Sequence, residues 1–255
     1  MTGVKLKIEI RRDKILQQLH LTGKVSVAEL SQQLNVTPVT VRNDLTELEQ
    51  QGLLLRVQGG AVQVPGAVEN HEPQVPHGEQ KKLLAESVAK RIHDGDTLFI
   101  NSGTTSEAVA AALRIRKNLN IVTNAWQVAR ELGSMPTFRV LLIGGEINAQ
   151  YGFTHGGDAQ EQLSKYQADW SILSVDGISA KGGVTTHHAE EAIIDRMMSA
   201  GAKQTMIAAD GSKIGRTGFS RVCPCGNALI LVTDSTADPQ AVSELKEQGV
   251  NLIIA

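Results

Sequence analysis

The sequence predicts a mixed α/β chain in two parts. An N-terminal winged helix-turn-helix occupies residues 1–62, and a C-terminal, mostly parallel α/β domain occupies residues 79–255. Three observations carry this. Up to about residue 63 the apolar positions recur at helical spacing, with capping signals at the helix starts. Residues 64–78, VPGAVENHEPQVPHG, hold three prolines and two glycines and no apolar period, so 63–78 reads as a linker. From Glu79 onward short β-branched runs alternate with helical stretches, the pattern of a parallel sheet covered on both faces.

Composition limits the function classes. The 255 residues are 41% hydrophobic, 20% charged and 3% aromatic, with a net charge of −2, which is ordinary for a globular chain with its own core. No apolar run approaches the roughly eighteen residues of a membrane span. The first residues, MTGVKLKIEIRRDKIL, are charged throughout, which argues against a secretory signal. Cys223 and Cys225, in VCPCG, are too close for a relaxed disulfide and too few for a zinc site. They read as reduced thiols of a cytoplasmic protein. Residues 1–60 carry eight Lys/Arg against six Asp/Glu, a net of +2; the remainder carries seventeen against twenty-one, a net of −4. The basic end permits nucleic-acid binding without establishing it.

The first helix spans Arg11–His20, with Ile15, Leu16 and Leu19 at helical spacing, and stops at Gly23. The second, Ser26–Leu34, opens on the capping box Ser26-Val27-Ala28-Glu29 and places Val27, Leu30 and Leu34 on one face. The third, Thr37–Gln51, has Thr37 as N-cap and Pro38 at its first position, where the missing amide costs nothing. Only Asn35-Val36 separates these two helices, so they cross steeply, as in a helix-turn-helix.

On the third helix Val41, Leu45 and Leu48 fall within about 60° of arc. Val39, Asn43, Thr46 and Gln50 lie opposite, flanked by Thr40 and Arg42. Arg42 can fork onto guanine, Asn43 onto adenine, and Thr40 can bond a phosphate or touch a thymine methyl. The following LLLRVQGGAVQV reads as a hairpin around Gly59-Gly60, a wing with Arg56 and Gln58 near its tip. The candidate DNA-contacting residues are therefore Ser26, Thr37, Pro38, Val39, Thr40, Arg42, Asn43, Arg56 and Gln58. A plain three-helix bundle with a solvated polar face is the alternative.

In the second part the strand candidates are Thr97–Ile100, Asn120–Thr123, Phe138–Ile143, Trp170–Val175, Thr205–Ala208, Leu229–Val232 and Leu252–Ile254. Helical stretches such as Glu79–His93, Glu107–Leu113 and Ala189–Ser199 separate them. Chemistry collects where strands end. Ser102, Gly103, Thr104 and Thr105 lie between a strand and a helix start, where amides, hydroxyls and the helix dipole suit an anion. Gly144-Gly145, Asp176-Gly177, the Lys181–Thr186 run before the helix bearing Glu190 and Glu191, and Asp210–Lys213 occupy further junctions. Ligands of open α/β sheets bind beyond such carboxyl ends, so these loops can converge on one small polar anion. Asp176 would hold sugar hydroxyls, and Lys181 or Lys213 would pair with phosphate. Taken singly, each is equally an ordinary turn glycine, solvated lysine or helix cap. His187-His188 points two ways from a helix start and does not read as a metal pair. Trp126 and Trp170 read as core or interface.

The run VSVAELSQQLNVTPVTVRNDLTELEQQGLLLRVQGGA resembles the N-terminal signature of the DeoR family of bacterial transcriptional regulators. Two departures stand out: Asn43, where the family often has a second arginine, and Gln58, where it has histidine. Both remove possible positive charge from the DNA face. The second part is similar to the same family, whose effector domain is like ribose-5-phosphate isomerase and typically senses phosphorylated sugars. The resemblance implies a cytoplasmic repressor of a carbohydrate-utilisation operon, without a cofactor and without membrane attachment. Its partners would be operator DNA and a phosphorylated sugar. Its effector pocket would be lined by Ser102, Gly103, Thr104, Thr105, Gly144, Gly145, Asp176, Gly177, Lys181, Thr185, Thr186, Glu190 and Lys213. One recognition helix reads few base pairs, so a homo-oligomer, dimer or tetramer, is expected. The alternative is a sugar-phosphate isomerase with an accessory DNA-binding domain. Against it, Asp176-Gly177-Ile178-Ser179 lacks the second aspartate of the isomerase pattern, although Lys181 and Glu190 keep suitable positions.

Overall fold

The computed structural model describes residues 8–50, 54–62 and 78–255. Most of the expected linker, 63–77, lies outside the described residues, as do Gln51 and Gly52 at the expected end of the third helix. The chain divides into two compact units, with the boundary between residues 72 and 73.

The first unit contains α1 (Ile8–Thr22), β1 (Lys24–Ser26), α2 (Val27–Leu34), α3 (Pro38–Gln50), β2 (Leu55–Val57) and β3 (Gly60–Val62). Ser26 caps α2 by accepting from the Glu29 amide at 3.2 Å. Asn35 ends α2 in the left-handed region at φ 52°, a conformation asparagine tolerates, and turns the chain into α3. Thr37 Oγ1 accepts from the Thr40 amide at 3.2 Å. Ile15, Leu19, Leu30, Val41, Leu45, Leu48 and Leu54 form one buried cluster beneath the three helices.

The sequence reading missed β1. It makes the wing a three-stranded antiparallel sheet in the order β1-β3-β2 rather than a bare hairpin. The two glycines at the tip have separate duties. Gly59 takes φ +84° in the turn. Gly60 already belongs to β3, where any side chain would collide with the Val25 carbonyl of β1.

The second unit runs α4 (Gly78–Ala89), β4 (Thr97–Ile100), α5 (Thr104–Leu113), β5 (Asn120–Thr123), α6 (Trp126–Gly133) and β6 (Arg139–Leu142). Then follow β7 (Glu146–Asn148), β8 (Phe153–His155), α7 (Gly157–Leu163), β9 (Ala168–Ser174), β10 (Gly177–Ser179), β11 (Gly183–Thr186) and α8 (Ala189–Ala200). The chain ends with β12 (Ala202–Ala208), a 3-10 turn (Gly211–Lys213), β13 (Ser220–Cys223), β14 (Leu229–Thr233), α9 (Pro239–Glu247) and β15 (Asn251–Ile254).

Seven strands form one wholly parallel sheet in the order β15-β14-β12-β9-β4-β5-β6. All seven coincide with the expected runs. Alternate residues serve opposite faces. Leu98, Ile100, Ile121, Ile172 and Met206 pack with α4, α5 and α6. Phe99, Val122, Leu173 and Ile207 pack with α7, α8 and α9. Small antiparallel pieces, β7-β8 and β10-β11-β13, decorate the sheet. Among the described residues no helix is long and apolar enough to cross a membrane.

Candidate functional sites

On α3 the buried and exposed faces separate as the spacing requires. Val41, Leu45 and Leu48 are at most 2% exposed, while Val39 is 61% exposed and Arg42 and Asn43 are exposed beside it. Thr40 is half-buried, and its hydroxyl lies 2.9 Å from that of Thr37. Pro38 and Gln58 are exposed. Arg56, in β2, is fixed against α3: its Nη1 donates to Thr46 Oγ1 at 2.9 Å and its amide to Glu49 Oε1 at 2.9 Å. It adds a guanidinium to the same face as Arg42 and Asn43. Ser26 is half-buried, with its hydroxyl engaged as the α2 cap.

Sequence reasoning passed over Asp44, which is only 2% exposed. Arg11 binds it through two nitrogens, Nε at 2.5 Å and Nη2 at 3.0 Å, and Arg12 Nε approaches at 3.3 Å. This charge-assisted joint fixes α1 against α3.

In the second unit the sheet order locates the crevice. From β4 the chain moves outward through β5 and β6; from β9 it moves the other way through β12 and β14. The neighbours β4 and β9 therefore flank the topological switch point, and ligands of open α/β sheets bind beyond the carboxyl ends there. A cavity of about 430 Å³ beside Thr97, Asp169 and Lys203 lies at the opposite, amino ends of β4, β9 and β12.

Gly103 follows β4 at φ +114° and caps α5, placing Thr104 and Thr105 in the helix's first turn. A Cβ at Gly103 would lie 2.9 Å from Ser174 Oγ. Lys81, on α4, donates from Nζ to Thr104 Oγ1 at 2.8 Å. Burial lowers the Lys81 pKa, Asp210 opposes that shift, and Lys213 reinforces it. On the other side Ser102 Oγ donates to Glu191 Oε1 at 2.8 Å. Thr186 Oγ1 lies 2.6 Å from Glu191 Oε2 and 3.0 Å from Asp176 Oδ2. Asp176 also accepts from the His187 amide at 2.8 Å, and Lys213 Nζ stands 3.8 Å from its Oδ1. Burial raises the Glu191 pKa.

Behind this group Asn101 Nδ2 donates to the wholly buried Asp195 at 3.0 and 3.1 Å and to the Ser174 carbonyl at 2.9 Å. Burial, reinforced by Glu191, raises the Asp195 pKa well above its ordinary value.

The crevice thus gathers Ser102, Gly103, Thr104, Asp176, Thr186 and Lys213 from the expected residues. It corrects others. Glu190 is exposed, and its neighbour Glu191 occupies the position assigned to it. Lys181 is exposed between β10 and β11. Gly144 donates its amide to Gln162 of α7 at 3.0 Å, and Gly145 packs on His155 and Ala159 beyond the edge strand β6. Thr105 and Thr185 are buried, the latter with its hydroxyl bonded to the Gly177 carbonyl and the Gly218 amide. Gly177 is packed so closely on Arg216 that a side chain would strike its carbonyl. Lys81, Asn101 and Asp195 were not among the expected residues, and Glu191 was named only as the neighbour of Glu190. His188 caps α8, its ring 4.3 Å from that of Tyr151. The two cysteines are free, and burial pushes the Cys225 thiol up to about 11.

Two family models match the chain: the DeoR-like helix-turn-helix domain over residues 11–65 and the DeoR C terminal sensor domain over residues 76–235. The glycerol-3-phosphate regulon repressor of Escherichia coli K12 is 33% identical, over 95% of this chain and 97% of that protein. The HTH-type transcriptional repressor CsqR of the same organism is 31% identical, over 96% of this chain and 94% of its own. Among solved structures, ribose 5-phosphate isomerase A from Neisseria gonorrhoeae aligns with 58% of this chain and 55% of its own, at 15% identity and a TM-score of 0.40, too distant to argue from.

Proposed function

The chain belongs to the DeoR family of regulators, and on that premise we propose that it is a cytoplasmic transcriptional repressor rather than an enzyme. Its first unit reads operator DNA and its second unit binds a phosphorylated sugar. The observation that carries the reading is the exposed face of α3, with Val39, Arg42 and Asn43 standing on a fully buried Val41-Leu45-Leu48 stripe. An apolar methyl, a guanidinium and a carboxamide are the side chains that read thymine, guanine and adenine edges. Relatives named as repressors support the sign of the regulation.

The strand-end crevice supplies the second half. Lys81, Lys213 and the first turn of α5 suit a phosphate, and Asp176 and Glu191 suit hydroxyls. One α3 spans only a few base pairs, so the working form is a homo-oligomer on half-sites about 34 Å apart or a multiple of that.

Selection of bound sequences from random duplex DNA at fixed salt, repeated with a panel of sugar phosphates, tests the whole reading. Enrichment of a repeated half-site, lost with one sugar phosphate, is expected. Replacing Arg42 and Asn43 together with alanine removes the enrichment, each lost base contact being worth about 1–3 kcal/mol of discrimination. No enrichment in the unsubstituted protein, with turnover of a sugar phosphate in the same tubes, would make it an enzyme.

A further inference from the structure

The crevice beyond β4 and β9 is electrically divided, and the division narrows the ligand. Ser102, in the loop after β4, and Thr104, two residues on at the start of α5, face opposite partners: Ser102 donates to the Glu191 carboxyl, and Thr104 accepts from the Lys81 ammonium. Lys213 lies between the two sides, 3.8 Å from Asp176 and near enough to Lys81 to oppose its charge. The Lys81 side, where Lys213 and the first turn of α5 add positive potential against the nearby carboxyls of Asp210 and Glu107, is the side that suits a phosphate.

The other side is crowded with acid. The Thr186 hydroxyl has a single hydrogen, yet it lies 2.6 Å from Glu191 and 3.0 Å from Asp176. With both carboxyls ionised, one of those oxygen–oxygen contacts holds no hydrogen, an arrangement that repels. A proton on Glu191, the carboxyl whose pKa burial raises, supplies the missing hydrogen and removes the conflict. Asp195, one helical turn along α8 from Glu191 and wholly buried, adds a third acid. The cationic groups facing them are Lys213, against Asp176, and His188, whose charge would favour ionised Glu191. Three carboxyls thus stand against a single lysine and a histidine.

We propose that the effector is a singly phosphorylated sugar or polyol with an uncharged far end, and that Asp176 and Glu191 select it by excluding the corresponding sugar acids. This rests on the sugar-phosphate reading of the same crevice. Hydroxyls donate to carboxyl oxygens and satisfy them; a ligand carboxylate, or a second phosphate, brings another negative charge a few ångströms from two carboxyls already crowded on one hydroxyl. At an effective dielectric near 20 such a contact is worth a tenfold or larger factor in affinity.

The test uses the full-length protein and pairs of ligands that differ at one carbon: glycerol 3-phosphate with 3-phosphoglycerate, erythritol 4-phosphate with 4-phosphoerythronate, and sorbitol 6-phosphate with 6-phosphogluconate. Inorganic phosphate serves as the reference, and affinities are read by calorimetry. In the pair of the right length the polyol is expected to bind at least about tenfold more tightly than its acid. Glu191→Gln, and Asp176→Asn with it, should shrink that ratio towards one. An acid binding as well as its polyol overturns the inference while leaving the sugar-phosphate reading intact, and so does a ratio untouched by the substitutions. If neither inorganic phosphate nor any ligand binds, the sugar-phosphate reading itself falls. Should the variants fail to fold, the ratio in the unsubstituted protein decides alone.

Discussion

Asp195 sits wholly out of water with Asn101 donating to both of its oxygens, so its state of protonation is part of the fold. Burial raises the pKa values of Asp195 and Glu191 above those of free carboxyls. Once the pH exceeds the ordinary carboxyl value, the folded chain therefore holds protons that the unfolded chain has released. Stability must fall as pH rises through that window. Asp195→Asn, which keeps an acceptor and never ionises, should gain in melting temperature relative to the unsubstituted protein between pH 5 and pH 8. Asp195→Ala should lose about 1–3 kcal/mol at both, because one Asn101 N–H loses its acceptor while the other keeps the Ser174 carbonyl. A parallel pH dependence in Asp195→Asn and the unsubstituted chain would mean that Asp195 is ionised. The sequence held a usable signal here. Glu191, Asp195 and the buried Met198 recur at helical spacing on α8, so Glu191 continues the buried stripe and Glu190, about 100° away, leaves it. Of the two adjacent glutamates only Glu191 therefore faces the crevice, while Glu190 is exposed.

The α3 helix was legible almost to the residue because capping and amphipathicity are local: Thr37, Pro38 and the Val41-Leu45-Leu48 stripe suffice. What spacing could not disclose was Asp44. On a helical wheel it borders the apolar arc, and nothing near it in sequence says that Arg11 and Arg12, on another helix, will meet it. The strand β1 escaped for a similar reason. Three residues are too few for a period, and β1 exists only because β3 comes back to pair with it. Asp44 thus carries the angle at which α3 is presented. Asp44→Ala removes the carboxylate that two guanidiniums share, a loss of roughly 3 kcal/mol for a buried pair. The expected outcome is a lower melting transition for the first unit and loss of operator binding, with sugar-phosphate affinity unchanged. Full operator affinity in Asp44→Ala would show that the joint does not set the recognition helix.

The parallel sheet was legible as a whole because its inner strands bury apolar residues on both faces and so read as short apolar runs, and even the half-exposed edge strands β6 and β15 keep such a run. The short antiparallel strands β7, β8, β10, β11 and β13 gave no such run, and the order of strands, which puts the crevice between β4 and β9, is a property of pairing that no local pattern encodes. Lys81 illustrates the consequence. It lies on α4, among ordinary helix-surface residues, and becomes a phosphate candidate only when the sheet brings Thr104 to it. If each unit binds the partner proposed for it, one further constraint follows, which holds whatever the geometry between them. If a sugar phosphate lowers operator affinity by some factor, operator DNA must lower sugar-phosphate affinity by the same factor, since both measure one coupling free energy. Coupling energies are typically about 1–3 kcal/mol, or roughly 5–150-fold. Titrating the sugar phosphate with and without saturating operator, at the salt used for the reverse titration, should return equal factors. Equality would locate repression and its release in a single equilibrium between DNA-competent and ligand-bound states. Unequal factors would require a further equilibrium, such as a change in the number of subunits, that one ligand drives and the other does not.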